Sequence, residues 1–538
     1  MYSRRSILLN GFWGGLGFSA MPLDIQGPSE PGRGMPSASK WARGVEGQRK
    51  GDLGNGRFLN PIVAGDHPDP TILKDGADYY MTFSSFTARP GLVIWHSRDL
   101  VNWAPLGPVL PDPAGSVLAC DLVKHAGRYY IYMPSGGIHV IYADNIRGPW
   151  SKPIPLNVGG IDPGHIVGED GKRYLFLSAG NRVALTDDGL ATAGMVEKVY
   201  DGWKYPTDWV VEGFSLESPK LMRRADYFYL VCAEGGTYGP PTSHMATVAR
   251  SKSIHGPWEN SPHNPLVHTY SATEPWWSRG HGTLVEGPTG DWWLVYHAYE
   301  NGFRTLGRQV LLEPITWTPD GWPKALGGDA GKPMLKPRGG QAGPHGFPLS
   351  DDFTENRLGR QWAFAAPEPS ENTRAKYASG TLTITGKGTS PTNCSPLSCI
   401  VGDQAYEVSV EIELDPAAPG SIGGLLLFSN PNLYLGTAHD GARLLIYRSG
   451  QPGRGNGAGR GGQPVERPVR RIFLKIQNDR HIVSFYNSPD GMNWARQDIG
   501  IEASSYTRNG GGGESLRVAL FAAGPGEIKF RQFRYRAL

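Results

Sequence analysis

Five side chains occupy matching places in a repeating pattern: Asp69, Asp121, Asp162, Glu217 and His281. Each stands about ten residues ahead of an aromatic-aliphatic run. The runs are Tyr79-Tyr80-Met81, Tyr129-Tyr130-Ile131, Tyr174-Leu175-Phe176, Tyr227-Phe228-Tyr229 and Trp292-Trp293-Leu294. Carboxyl groups gathered in one place suit hydrolysis of a glycosidic bond, where one activates water and another protonates the leaving oxygen. A third acid beside the proton donor raises its pKa by like-charge repulsion and keeps it protonated near neutrality. Asp69 is the most constrained of the set, because Pro68 and Pro70 fix the backbone on both sides and remove two amide donors. A lone Asp-Pro pair would read as a turn. The recurrence makes it more than that.

The elements that must position these groups follow from the repeat. The first aromatics are 50, 45, 53 and 65 residues apart, a spacing that suits four-stranded propeller blades of roughly 40–50 residues. A second echo supports this reading: the stretches 95–103, 142–150 and 249–258 each run from a strand through a turn to Trp103, Trp150 or Trp258. Those tryptophans read as packing between blades. Five blades fill residues 58–340. In a propeller the innermost strands line the central channel, so equivalent strand ends form a ring around one mouth. Asp121 reads as a turn cap within that ring. Carboxylates on opposite blades favour the inverting geometry, with separations of roughly 6.5–9.5 Å that leave room for water.

Composition agrees with an all-β chain long enough for several cores. It has 538 residues, with 16 Trp, 23 Tyr, 18 Phe, 74 Gly and 45 Pro, and its apolar runs are short and separated by turns. The formal charge of +3 is small and the basic residues form no long stripe, so nucleic acid is not implied. Residues 1–20 carry Arg4-Arg5 before a weakly apolar segment and resemble a twin-arginine export signal, which predicts a periplasmic or extracellular protein. That segment is too short and glycine-broken for a comfortable membrane span. Residues 21–57 are Pro/Gly-rich and read as a linker. Cys394 and Cys399 lie close enough in sequence to bridge in an oxidising compartment, whereas Cys120 and Cys232 fall in predicted strands and read as buried thiols.

Residues 60–71, Ile161-Asp162-Pro163, Glu217-Ser218-Pro219-Lys220-Leu221, Gly280-His281-Gly282, Leu306-Gly307-Arg308-Gln309 and 317–323 together resemble glycoside hydrolase family 43. The resemblance covers 58–340. It implies a five-bladed propeller and an inverting hydrolase that removes xylose or arabinofuranose from plant-wall polysaccharides or oligosaccharides. By position, Asp69 would be the general base, Glu217 the general acid and Asp162 the group that tunes the acid. Glu212 competes for the acid's place, and Glu217 is preferred because it keeps the spacing to Tyr227 that Asp69 keeps to Tyr79. Arg308, with Arg304 as its rival, would reach the base or the substrate. His281 would be a candidate calcium or water site, or simply a neutral imidazole bonded to backbone. No cofactor is required beyond that candidate structural calcium. Phe86, Trp276 and Trp277 are candidates to stack on a sugar, with packing the alternative reading. Ala119-Cys120-Asp121 departs from the Ala-Pro-Asp of many relatives. A galactan or galactofuranoside hydrolase of the same fold, or a non-catalytic sugar-binding propeller, are the competing functions.

Residues 341–348 read as a short linker. From 349 to 538, alternating segments such as Leu382-Thr383-Ile384-Thr385 and Tyr406-Glu407-Val408-Ser409-Val410 predict an antiparallel β-sandwich. It resembles the jelly-roll, concanavalin-like module that follows the propeller in many family-43 xylosidases. Within it, the glycine-rich stretch 451–462 reads as a mobile loop.

Overall fold

The computed structural model describes residues 40–365, 368, 371–449, 463–464, 470–497, 500–507 and 515–538. The twin-arginine-like segment 1–20 and the glycine-rich stretch 451–462 lie outside these residues. Five antiparallel sheets of four consecutive strands follow one another along the chain, spanning Thr71–Leu110, Asp121–Pro155, Gly164–Lys198, Glu217–Asn260 and Trp276–Ala325. The fourth gains an extra short strand, Val267–His268. The innermost strands are Thr71–Asp75, Asp121–His125, Gly164–Val167, Glu217–Arg224 and Trp276–Glu286. The aromatic runs supply the second strand of every blade, and four of these five strands are buried almost throughout: Tyr79, Ile131, Leu175, Leu230 and Leu294 all lie between neighbouring blades.

Polar contacts tie the inner strands into a ring. Thr71 Oγ1–H donates to Asp121 at 3.2 Å, the His165 N–H to Asp121 at 2.8 Å, and the Ser218 N–H to Asp162 at 3.2 Å. The circle closes between the last blade and the segment ahead of the first. Ile62 N–H donates to Val310 O at 2.9 Å and the Asn60 side chain exchanges two hydrogen bonds with the Leu312 backbone. Asn60 is wholly buried, so these bonds satisfy an amide that would otherwise be costly.

The C-terminal third forms two packed sheets. Strands Ile422–Asn430 and Arg517–Ala523 are central to one, and Ala405–Leu414 and Glu527–Ala537 to the other. Their facing side chains, including Val408, Val410, Leu425, Leu427, Leu520 and Phe530, make one core. This is the expected β-sandwich.

Residues 41–57 are not a loose linker, correcting that part of the sequence reading. Strands Ala42–Arg43 and Arg49–Lys50 pair with each other, and Arg49 is buried between propeller and sandwich. Its guanidinium meets Glu300 at 2.7 Å, and its N–H donates to Asp403 at 2.8 Å. Glycine and proline content misled here, because long-range polar pairing rather than an apolar repeat holds the segment. The four cysteines are all free and buried. Cys394 and Cys399 do not bridge, because they face different cores. Cys394 packs with Phe428, Tyr434 and Phe521, and Cys399 with the residues between the two sheets.

Candidate active site

The strand entrances that form the channel mouth share an uncommon backbone. Asp69, Asp162, Ser218 and His281 have φ of 59°, 54°, 56° and 56°. A left-handed residue other than glycine costs about 1–2 kcal/mol; Asp69, Asp162 and His281 adopt it themselves, and in the fourth blade it falls on Ser218, directly after Glu217. Asp121 and its two neighbours on either side are absent from that set of left-handed residues. Its carboxylate is engaged by Lys220 Nζ at 2.9 Å, by Thr71 and by the His165 amide. It is a structural link between blades rather than the local turn cap that its position predicted.

Asp69 is nearly enclosed, at 6% exposure. Its Oδ1 lies 2.7 Å from Arg308 Nη1, 3.3 Å from His281 Nδ1 and 3.2 Å from His297 Nδ1, and its Oδ2 accepts from the Ser84 hydroxyl. The Asp69 backbone N–H donates to His297 Nδ1 at 2.9 Å. That nitrogen therefore presents its lone pair, which requires the neutral imidazole with its proton on Nε2, beside Thr237 Oγ1 at 3.2 Å. Burial pushes the Asp69 carboxyl up, but the Arg308 guanidinium together with His281 and His297 outweighs it and holds the group well below the usual range. Asp69 is a fixed anion.

The opposite acid is prepared the other way. Burial first, then the charges of Asp162 and Asp69, push Glu217 well above the usual range. Burial and Asp69 raise Asp162 to about 7. Glu217 is only partly enclosed, so a ligand in the channel can reach it. Glu212 is exposed instead, and its Oε2 accepts from the Tyr238 N–H at 2.8 Å. Asp69 and Glu217 straddle one ring, since each has a carboxylate oxygen within 4.8 Å of a nitrogen of His281. Gly280 allows this crowding: a Cβ there would fall 2.1 Å from the His244 ring.

His281 thus sits at the axis, but its surroundings do not fit calcium. The candidate donor sets are Asp69 with His281 and His297, and Glu217 with His244 and His281. Calcium takes six to eight oxygen ligands, whereas these sets are rich in imidazole. Asp69 is also already neutralised by Arg308. Burial lowers His281 to about 3, and its Nε2 is buried without a hydrogen-bond partner.

Arg308, not Arg304, meets Asp69. Arg304 Nη2–H reaches the Tyr238 carbonyl at 3.4 Å and its guanidinium lies over Tyr299. Phe86 is half-buried, with the Arg308 guanidinium 5.7 Å from its ring centre and 5.5 Å from that of Tyr238. Trp276 does not belong to this mouth. Only 2% exposed, it packs into the core behind the fifth blade with Leu284, Leu294 and Trp322. Trp277 is half-buried and bonded through Nε1–H to Ala272 O. Ser84, His244, His297, Lys220 and Tyr238 escaped the sequence reading of the site. None repeats between blades, although Lys220 lay inside a recognised motif.

Comparison with known proteins agrees with this geometry. Residues 58–323 match the family model for glycosyl hydrolases family 43, and residues 350–536 match that of the β-xylosidase C-terminal concanavalin A-like domain. A non-reducing-end α-L-arabinofuranosidase of Bacteroides ovatus is 34% identical over 57% of this chain, which spans 61% of that relative's length. A xylan 1,3-β-xylosidase of a Vibrio species is 31% identical over 72% of this chain and 80% of its own. Among solved structures, a family-43 protein of Bacillus licheniformis superposes with a TM-score of 0.79 at 27% identity, covering 90% of this chain and all of its own. A xylan β-1,4-xylosidase of Bacillus halodurans gives 0.78 at 26%, over 89% and 100%. With both of its modules and their order accounted for, the chain belongs to family 43 of the glycosyl hydrolases.

Proposed function

We propose that the protein is an inverting glycosidase that removes xylose or arabinofuranose units from plant-wall polysaccharides or their oligosaccharides. The observation that carries this reading is the opposed preparation of two carboxyls across one imidazole. Asp69 is held ionised by Arg308, and Glu217 is held protonated by burial and by Asp162. Asp69 acts as the general base that takes a proton from water, Glu217 protonates the departing oxygen, and Asp162 keeps Glu217 protonated at neutral pH. Arg308 and the neutral His281 hold Asp69 in place. His297 fixes its backbone. The names of the relatives support a pentose, and no cofactor enters any step.

The test is to offer aryl β-xyloside, α-arabinofuranoside and β-galactoside and to follow the first-formed sugar by NMR. Turnover of a pentoside with inverted anomeric configuration is expected. A retained first product refutes the assignment of Asp69 as base, and sugar binding without turnover refutes the enzyme. We also propose that the twin-arginine segment directs export. A reporter fused behind residues 1–57 should leave the cytoplasm and should stay when Arg4 and Arg5 are replaced by lysine.

A further inference from the structure

A second cavity, of about 680 Å³, opens between the fourth and fifth blades, lined by Val267 and His268 of one and Trp276, Arg279 and Glu313 of the other. Its volume falls within the range of small-ligand pockets, roughly 300–1,000 Å³. Its floor is polar but compensated. Arg279 lies 2.5 Å from Glu313 and donates to the Tyr296 hydroxyl, which itself donates to Glu313, so these two buried charges are paired with each other. Two buried groups in its wall have no hydrogen-bond partner. One is Trp276 Nε1–H, a donor, and the other is His268 Nδ1. His268 Nε2–H is used by Thr242 O at 2.8 Å and burial lowers the imidazole pKa, so Nδ1 is an acceptor. A donor and an acceptor in one lining match hydroxyl groups, which are both.

The rim carries a fixed aromatic ring. Tyr270 is 66% exposed, yet it is braced edge-on by His268 at 4.8 Å and by Trp209 at 5.8 Å, and its N–H donates to Glu274 at 2.7 Å. A rigid exposed ring over a hydroxyl-matching floor whose buried charges are paired is a platform for a sugar face. Trp209 belongs to the 201–216 segment that leads into Glu217.

We infer that this cavity is an accessory subsite for a neutral oligosaccharide, holding a remote part of the polymer whose end is cut in the channel. The choice of ligand rests on the glycosidase reading above. The experiment is gel retardation by soluble arabinoxylan and calorimetry with xylohexaose, using the full chain carrying Glu217→Gln. Adding Tyr270→Ala should weaken binding roughly five- to tenfold, and Tyr270→Trp should restore it. In the otherwise unaltered enzyme, Tyr270→Ala should leave aryl-pentoside kcat/KM unchanged while polymer hydrolysis falls. Equal retardation with and without the Tyr270 ring, or an equal loss on the aryl substrate, overturns the proposal. If the unaltered chain cleaves no pentoside but its retardation still depends on Tyr270, the glycosidase reading fails and the subsite stands.

Discussion

At the residue scale, the two carboxyls should respond differently to the quality of the leaving group. Asp69→Asn removes the base for every substrate, so hydrolysis should fall by about 10²–10⁴ whether the aglycone is a sugar or a dinitrophenolate. Glu217→Gln should be as damaging with a sugar aglycone but much milder with dinitrophenyl, which departs without a proton. Steady-state kinetics on both substrates checks this, and equal losses for Glu217→Gln would point to Glu212 or to another donor. Asp162 sets the pH range. Its charge helps raise Glu217, so Asp162→Asn should move the alkaline limb of kcat/KM to lower pH. The same substitution carries a stability prediction whose sign follows from linkage. The folded-state Asp162 carboxyl is raised from 3.8 to about 7, so between those values the unfolded chain ionises more readily and folding loses free energy as pH rises. The loss is complete above about 7. Asp162→Asn should therefore be more stable than the parent at pH 8 by about 2–4 kcal/mol, with the difference vanishing near pH 4. Urea titrations at both pH values measure it.

At the element scale, the inner strands hold the site through one buried cation. Lys220 Nζ lies 2.9 Å from Asp121 and donates to the Cys120 and Pro163 carbonyls at 2.6 and 3.3 Å. The second, third and fourth blades meet at that ammonium. Lys220→Met strands a buried carboxylate and should cost about 3–5 kcal/mol; pairing it with Asp121→Leu should recover much of the loss, read as the urea midpoint. Much of this ring was legible in the sequence, because a repeat of period near 50 makes equivalent strand ends coincide in space. Asp69, Asp162, Glu217 and His281 were found that way. Positions without a counterpart in other blades were not. His297 sits on a second strand, where nothing in the alternation separates a packing residue from one that receives the Asp69 amide. Trp276 was misplaced for a related reason. It opens an inner strand, but the strand buries it behind the blade, and a bulge between Trp277 and Gly280 intervenes before His281 reaches the channel.

At the scale of the whole molecule, the sandwich reaches Asp69, the proposed base, through two steps. Arg517 Nη2 lies 3.3 Å from Asp66, whose other oxygen accepts from the Arg308 N–H at 3.1 Å, and Arg308 holds Asp69. Ser515 N–H also donates to Asp66, Leu516 N–H donates to the Thr305 carbonyl at 2.9 Å, and His481 faces the Gly302 carbonyl at 2.7 Å. The stretch 300–308 is therefore shaped from both domains, and Gly307 shows how closely: with φ of 76°, a Cβ there would fall 2.3 Å from the Asp66 carboxylate. No sequence period couples residue 66 to residue 517, which is why this link appears only in three dimensions. Arg517→Met would leave the Asp66 carboxylate held by backbone donors alone and would loosen the strand that carries Arg308. It should lower kcat more than it changes KM, and it should raise the acidic limb of the pH profile, because a less firmly placed guanidinium holds Asp69 ionised less strongly. A propeller ending at residue 348 should show the same shift together with a lower Tm. If that truncated chain kept the parent's kcat and acidic limb, the sandwich would have no part in placing the base, and the Arg517–Asp66 contact would be packing alone.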